Sequence, residues 1–163
     1  MIPMELAANA VAVLATIALG LSAGALVAEG AILVPFWQSL QPHSFLAWYK
    51  EHARLLLRFF APLEITAAGL TLAAVTLNWL HPVAATQLLV LSAFLAVAVL
   101  AAFPLYFQTT NASFAAGTIT PARVPEELHR WARWHWTRTM LGVGAFILTL
   151  VALVEGAHLP RPS

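Results

Sequence analysis

The chain contains no cysteine among its 163 residues. Disulfide bonds, thiolate metal sites and thiol redox catalysis all require that residue. Its absence therefore excludes the class of small four-helix membrane oxidoreductases that work through a Cys-x-x-Cys pair.

Charged residues are also scarce. Asp, Glu, Lys and Arg make up only 9% of the chain, whereas hydrophobic residues make up 61%. Soluble domains carry about a quarter charged residues, and the mean hydropathy of this chain is +0.81. These values predict an integral membrane protein. The formal net charge of +1 provides no strongly basic surface and so argues against nucleic acid as a partner.

The first five residues contain neither lysine nor arginine. A cleavable signal peptide begins with basic residues and has a short apolar core, whereas the apolar stretch that follows here is long. We therefore expect this stretch to remain in the protein as a permanent membrane span.

Four apolar stretches predict four membrane-spanning helices, at about residues 6–34, 53–80, 83–107 and 127–155. A helix needs about 20 apolar residues to cross the hydrocarbon core, so four spans use most of the chain. We expect residues 1–163 to form a single all-α domain, an integral membrane four-helix bundle. Pro35 is expected to end the first span, and the longer loops are expected at 35–52 and 108–128.

Lysine and arginine are distributed unevenly between the two sides that four spans define. Both predicted long loops lie on one side, and only Arg161 lies on the side of the two termini. Basic residues accumulate in the cytoplasm. We therefore predict an inner (cytoplasmic) membrane protein with cytoplasmic long loops and both termini on the extracytoplasmic side. The basic residues of the loop side are Lys50, Arg54, Arg58, Arg123, Arg130, Arg133 and Arg138.

Ionisable side chains occur within the apolar spans, and they point to a site. Inserting such a charge costs about 2.5–3.5 kcal/mol, and this cost is smallest when the side chains face the interior of the bundle and pair there. Two glutamates and one histidine lie on three different spans, all in the half next to the long loops, and two arginines and one asparagine lie near the same level. The six candidate site residues are Glu29, Arg58, Glu64, Asn111, His135 and Arg138.

Several kinds of chemistry are compatible with this set. Two carboxylates and an imidazole can transfer protons, or they can bind one ion of iron, zinc or manganese. The spacing favours a metal only weakly, because no Glu-x-x-His pair lies on one helix. A haem held between His52 and His135 is a further alternative, as is the absence of any cofactor. The structural alternative is a polar cluster that only fixes the helix register, with arginines that extend to the membrane interface.

Two parts of the sequence resemble a known family. Asn111, followed by Trp131-x-x-Trp134-His135-x-x-Arg138-Thr139 and a span of small residues, resembles the end of the DUF1772 family. Gly24 and Pro35-Phe36-Trp37 resemble the family's first helix. The resemblance covers most of the chain. The family consists of small four-helix membrane proteins and includes the anthrone oxygenase-like proteins.

The resemblance implies a four-helix bundle and, for some members, oxygenation of a polycyclic phenolic anthrone to a quinone without an obvious cofactor. Such a reaction needs a base that forms an electron-rich carbanion, which then reacts directly with O₂. The resemblance implies that His135, assisted by Glu29 or Glu64, is this base. It also implies that Arg138 or Arg58 stabilises the resulting oxyanion and that Asn111 orients the substrate carbonyl.

Three functions remain open on the sequence. The first is a membrane oxygenase or oxidoreductase acting on a lipophilic aromatic or quinone-like substrate that enters from the lipid. The second is a metal- or haem-binding membrane protein. The third is a non-catalytic accessory subunit that docks on a larger membrane complex through Gly20 and Gly24, since small residues four apart let helices approach closely. The expected partners are the bilayer and a lipophilic small molecule, and a homo-oligomer is compatible with all three.

Overall fold

The computed structural model describes residues 4–80 and 85–158, and within these ranges the chain is helical apart from short turns. Two π turns connect α1 to α2 and α4 to α5, and a short 3-10 turn, Pro121–Arg123, leads into α6. The helices are α1 Met4–Ala28, α2 Val34–Ser39, α3 Pro42–Leu80, α4 Thr86–Ala102, α5 Gln108–Ala116 and α6 Val124–His158, and the π turns are Glu29–Leu33 and Phe103–Phe107.

These helices form four rods that are long and apolar enough to cross a membrane. The prediction of an all-α protein with four helices that are able to span a membrane is therefore confirmed, and the apolar composition of these helices suits contact with a bilayer. We number the rods as spans 1 to 4. They are Leu6–Ser39, Pro42–Trp79, Thr86–Ala116 and Pro121–Gly156.

The four spans form a closed bundle. Each span packs against the next one in the chain, and span 4 packs back against span 1. Short connections make consecutive spans antiparallel.

Between spans 3 and 4, Gly117 ends α5 with a φ of 65°. The amide of Gly117 donates to the carbonyl of Phe114, and the amide of Thr118 donates to that of Ser113. This is a Schellman-type helix end, for which a left-handed glycine is best suited.

The interior of the bundle differs between its two ends. The end that carries the turns after α2 and α5 is packed with large aromatic rings, which include Trp37, Phe45, Phe107, Phe114 and Trp131. The opposite end is packed mainly with alanines from all four spans. We call these the aromatic half and the alanine half. Small residues such as these let the backbones of neighbouring spans approach closely.

The predicted long loops are mostly helical, so each of the four spans extends as a helix into a stretch predicted to be a loop. Residues 42–52 form the first turns of α3, and residues 108–116 form α5. Polar residues in these stretches favour loops, but they are also compatible with a helix that extends beyond the hydrocarbon. Pro35 does not end span 1, because α2 continues to Ser39. The turn predicted at 80–83 lies largely outside the described residues.

A proline accompanies each π turn: Pro35 follows the first, and Pro104 lies within the second. Proline cannot donate a backbone hydrogen bond, and its ring clashes with the carbonyl four residues earlier. In the π turns the amide of Val34 donates to Glu29 and that of Gln108 donates to Phe103, five residues back. The wider turn lets each helix continue past its proline. By contrast, Pro62 lies inside the uninterrupted helix α3.

Gly20 and Gly24 do not form one free docking face. A Cβ atom on Gly20 would lie 3.0 Å from the ring of Phe146 in span 4, so this glycine is used for packing within the bundle. A Cβ atom on Gly24 would have no neighbour within 4 Å.

Candidate active site

Four ionisable side chains meet inside the bundle, where the aromatic half adjoins the alanine half. Two of them come from span 4, and spans 1 and 2 contribute one carboxyl group each. All are buried, with exposed fractions of 4% for Glu29, 6% for Glu64, 0% for His135 and 6% for Arg138. The predicted convergence of these residues is therefore present. We call Glu29, Glu64, His135 and Arg138 the polar cluster.

Arg138 is the centre of the polar cluster. Its Nη2 atom lies 2.9 Å from Oε2 of Glu29, and its Nη1 atom lies 3.5 Å from Oε1 of Glu64. The guanidinium also lies over the ring of Phe107, with 4.3 Å between Cζ and the ring centroid. One cation thus contacts two carboxyl groups and one aromatic face. Such contacts stabilise a charge that is removed from water.

The contacts of His135 define its tautomer. Nε2 lies 2.9 Å from the carbonyl oxygen of Leu26, which can only accept, so Nε2 carries the hydrogen. Nδ1 lies 3.3 Å from Nη2 and 3.4 Å from Nε of Arg138, which can only donate. Nδ1 also lies 3.5 Å from Oε2 of Glu29, but it accepts hydrogen bonds from Arg138 and donates none to that carboxyl group. These contacts fit a neutral Nε2–H imidazole whose two ring nitrogens are both engaged. It links span 1 to Arg138 and is closed to solvent.

A glycine on span 1 makes this close contact possible. A Cβ atom on Gly30 would lie 3.0 Å from Nε2 of His135 and 3.0 Å from the ring of Trp136. Gly30 lies in the first π turn, next to Glu29. The glycine therefore lets the backbone that carries Glu29 lie directly against the imidazole.

Asn111 lies behind the polar cluster. Its Oδ1 accepts a hydrogen bond of 2.9 Å from Nε1 of Trp131. The ring of Trp131 stacks on that of His135, with 5.1 Å between centroids and an interplanar angle of 7°. The predicted role of Asn111 in orienting a substrate carbonyl has no support in this position. The geometry makes Asn111 an orienting partner of Trp131.

Arg58 does not join the polar cluster. Its side chain is exposed on the surface of span 2, and none of the ion pairs found in residues 4–80 and 85–158 includes it. Its predicted place in the site is therefore not supported. The position fits an arginine that extends toward the membrane interface, because the polar level lies one to two helical turns deeper, at Glu64.

A groove of about 510 Å³ lies between spans 1 and 2 and reaches the polar cluster. Its walls are aliphatic and aromatic, and Glu29 is the one ionisable residue in its lining as described. Several of these side chains, including Ile32 and Phe59, are exposed on the outer face of the bundle, so the groove opens toward the lipid. The lining residues are Ala25, Ala28, Glu29, Ile32, Leu33, Leu55, Leu56, Phe59 and Phe60.

A second groove, of about 400 Å³, lies between spans 2 and 3 at the alanine half. Its lining contains no charged side chain in the part of the chain that the structure describes. It also lies at the opposite end of span 2 from the groove beside Glu29. Among the described residues, this lining therefore offers no acid, base or ion pair for catalysis. The lining residues are Trp79, Thr86, Gln87, Val90, Leu91 and Phe94.

The polar cluster does not fit a bound metal ion. The guanidinium of Arg138 contacts both carboxyl groups and so lies where a metal would bind. Across the described ranges, no three His, Cys, Asp or Glu side chains are arranged to share an ion. A haem does not fit either. The ring nitrogens of His135 are engaged, and His52 stacks on Trp48 while its Nδ1 lies 2.8 Å from the Trp48 carbonyl.

Three contact groups of the polar cluster had not been identified from the sequence: the Phe107 ring, the Leu26 carbonyl and Gly30. Phe107 looks like any other apolar residue of span 3, and a backbone carbonyl carries no sequence signal. Gly30 follows Glu29 directly, and a glycine beside a buried charge is the one sequence signal from which a close backbone approach could have been inferred.

Comparison of this chain with protein-family models, with curated proteins and with solved structures gives no match.

Proposed function

We propose that this protein is a membrane-embedded oxygenase-like enzyme that acts on a lipophilic aromatic or quinone-like molecule entering from the bilayer. The observation that carries the proposal is the position of Glu29. This residue lines an otherwise apolar groove, and its carboxyl group pairs with Arg138 inside the bundle. Ligand sites typically combine apolar walls with a few placed polar groups. The resemblance to DUF1772 proteins supports the same function, and we propose that the chain is related to them.

Glu29 is the proposed base. It is the ionisable group that lines the groove, whereas His135 lies behind it with both ring nitrogens engaged. A carboxylate that removes a proton from the ring carbon of an anthrone-like phenol leaves a carbanion stabilised by the neighbouring carbonyl. Arg138, 2.9 Å from Glu29, is the cation proposed to stabilise the negative charge that develops on the substrate oxygen. A fixed cation in a site of low polarity stabilises such a charge strongly.

The reaction balances with O₂ as the only co-reactant. The ring CH₂ group loses its first proton to Glu29, and the carbanion reduces O₂ to a peroxide bound at the same carbon. The peroxide is protonated. Its O–O bond then breaks as the second proton leaves the carbon, so that the C–H electron pair forms the C=O bond. The CH₂ group becomes a ketone, and the second oxygen atom leaves as water.

Oxygen uptake tests the proposed function. Protein reconstituted in liposomes is given anthrone, and O₂ consumption and quinone formation are recorded together. We expect one O₂ consumed for each quinone formed, and a loss of at least 100-fold in Glu29→Gln, since a positioned general base contributes about 10²–10⁴-fold. Glu51→Gln makes the same change at an exposed position of span 2 and should retain full activity.

A second variant covers the case in which Glu29→Gln fails to fold. Ala28 lines the groove and is exposed, so Ala28→Trp fills the groove while the polar cluster keeps all its contacts. Activity should be lost in a folded protein. Full activity in folded Glu29→Gln would contradict the proposal and favour the accessory-subunit alternative.

We also propose that the turns after α2 and α5 face the cytoplasm and that the protein resides in the inner membrane, because the basic residues gather at that end.

A further inference from the structure

The polar cluster contains more acidic groups than basic ones. Glu29 and Glu64 both contact the single guanidinium of Arg138. His135 adds no charge, since its contacts define a neutral imidazole. With both carboxyl groups ionised, the cluster would have a net charge of −1 within the membrane. A net charge away from water is expensive, whereas one bound proton makes the cluster neutral.

Neighbouring groups do not supply the missing positive charge. Residues 86–116 of span 3 contain no Lys, Arg or His, and Arg58 of span 2 is exposed. Two tyrosines complete the set of titratable neighbours. Tyr106 donates to Glu127 rather than to the cluster, and Tyr49 is buried within electrostatic range of Glu29 and Arg138. Neither tyrosine provides a cation, so a proton on a carboxyl group is the neutralising species that these residues offer.

The two carboxyl groups differ in their contacts with Arg138. Glu29 accepts a hydrogen bond of 2.9 Å from Nη2. Glu64 lies at 3.5 Å from Nη1, and its Oε1 atom is buried without a hydrogen bond from any described residue. An ionised carboxylate away from water normally accepts several hydrogen bonds. Glu29 has the closer contact with the cation and accepts a hydrogen bond, whereas Glu64 has neither, so Glu64 is the better site for a neutral acid.

We propose that the polar cluster binds one exchangeable proton at neutral pH, that Glu64 carries it, and that this proton keeps the cluster neutral while ionised Glu29 serves the groove as the base. The last part rests on the proposed function. Glu29, which lines the groove, takes the proton of the ring carbon and returns a proton to the peroxide oxygen, and Glu64 keeps its own. The cluster therefore holds one proton before and after each turnover.

Infrared spectroscopy of the substrate-free protein in liposomes at neutral pH tests the proton site directly. A protonated carboxyl group has a C=O stretching band above the amide bands, and this band shifts in D₂O because the O–H hydrogen exchanges. We expect one such group in the wild-type protein. Charge balance predicts none in Glu64→Gln or in Glu29→Gln, because the remaining carboxylate then neutralises Arg138. The exposed change Glu51→Gln should leave the band unaltered.

Aspartate variants test which residue carries the proton. Glu64→Asp should shift the frequency of the band, whereas Glu29→Asp should leave it in place. A wild-type protein with no D₂O-sensitive band, or a band that persists in folded Glu29→Gln, would overturn the proposal. A shift in Glu29→Asp alone would overturn the assignment to Glu64. The wild-type spectrum needs no variant to fold, and the measurement needs neither substrate nor O₂. The proton site and the proposed oxygenase activity can therefore fail independently.

Discussion

Arg138 shows how a single residue organises this site. Its guanidinium contacts Glu29, Glu64 and His135. Removing one partner of a buried ion pair lowers the free energy of unfolding by more than the intact pair contributes to it, because the remaining charge stays buried without a partner. Arg138 therefore contributes to the fold as well as to the proposed chemistry. The neutral partners of the polar cluster provide cleaner tests, since changing them leaves every charge in place.

Gly30 provides the first of these tests. Replacing it by alanine places a methyl group 3.0 Å from Nε2 of His135, and the imidazole or span 1 must move. Overpacking of this kind costs about 1–3 kcal/mol. We expect Gly30→Ala to lower the thermal unfolding midpoint in detergent. Gly24→Ala is the matched control, because its methyl group meets no atom within 4 Å. Equal midpoints for the two variants would contradict the packing described here.

Asn111 provides the second test. In Asn111→Ala, the buried Nε1–H of Trp131 loses the acceptor that lies 2.9 Å away. An unsatisfied buried donor costs about 1–3 kcal/mol. We expect the unfolding free energy of Asn111→Ala, measured by denaturant titration in detergent, to fall by this amount. The control Gln108→Ala changes an exposed position on the same helix and should have nearly the unfolding free energy of the wild type. If Asn111→Ala were as stable as the wild type, the orienting role would be wrong.

The sequence predicted the site in part. Glu29, Glu64, His135 and Arg138 converge as predicted, because the cost of placing charges in lipid leaves few other arrangements. The same reasoning failed for Arg58, since a long side chain near a helix end can reach the interface. It also could not distinguish a base that faces the groove from a histidine that lies behind it. That difference depends on the rotation of span 4 and on the contact with the Leu26 carbonyl.

The two π turns are the elements that sequence patterns could not predict. Each lies beside the polar cluster, with Glu29 at the start of the first and Phe107 at the end of the second. Single π turns within helices are frequent at functional sites. Pro35, which follows the first π turn, is a sequence signal for a helix end, yet the helix continues past it to Ser39. Hydropathy alone located the four spans, but it could not show that α3 begins at Pro42 or that α5 extends span 3 to Ala116.

A π turn accommodates one more residue than an α turn, and this predicts an unusual tolerance to deletion. Leu105 lies in the second π turn and is 74% exposed. Its deletion should convert the turn to an α turn, so that the residues of both flanking helices keep the same orientation toward the bundle interior. Phe94, 69% exposed in the regular helix α4, is the control. Its deletion rotates one part of span 3 against the other by about 100°, since an α-helix has 3.6 residues per turn.

Size-exclusion chromatography in detergent checks these deletions. The Leu105 deletion should give a monodisperse, folded protein, and the Phe94 deletion an aggregated one. Aggregation of both would contradict the description of Phe103–Phe107 as a one-residue expansion of the helix.

For the whole molecule, the asymmetry of basic residues predicts the direction in which it spans the membrane. Because the chain contains no cysteine, single cysteines report on topology without background. Thr118 and Gly156 are exposed near opposite ends of span 4. We expect a membrane-impermeant maleimide to label Gly156→Cys in intact cells and Thr118→Cys only in inverted vesicles. The opposite pattern would place the turns after α2 and α5 outside the cytoplasm.

The central claim of this account is that a lipophilic aromatic molecule binds in the groove beside Glu29. Photo-crosslinking with a diazirine derivative of anthrone, followed by mapping of the labelled peptides, tests it most directly. The account predicts labels within residues 25–33 and 55–60, and a loss of these labels in Ala28→Trp. Labels centred on Trp79 and Phe94 in the second groove, or labels that Ala28→Trp leaves unchanged, would contradict it.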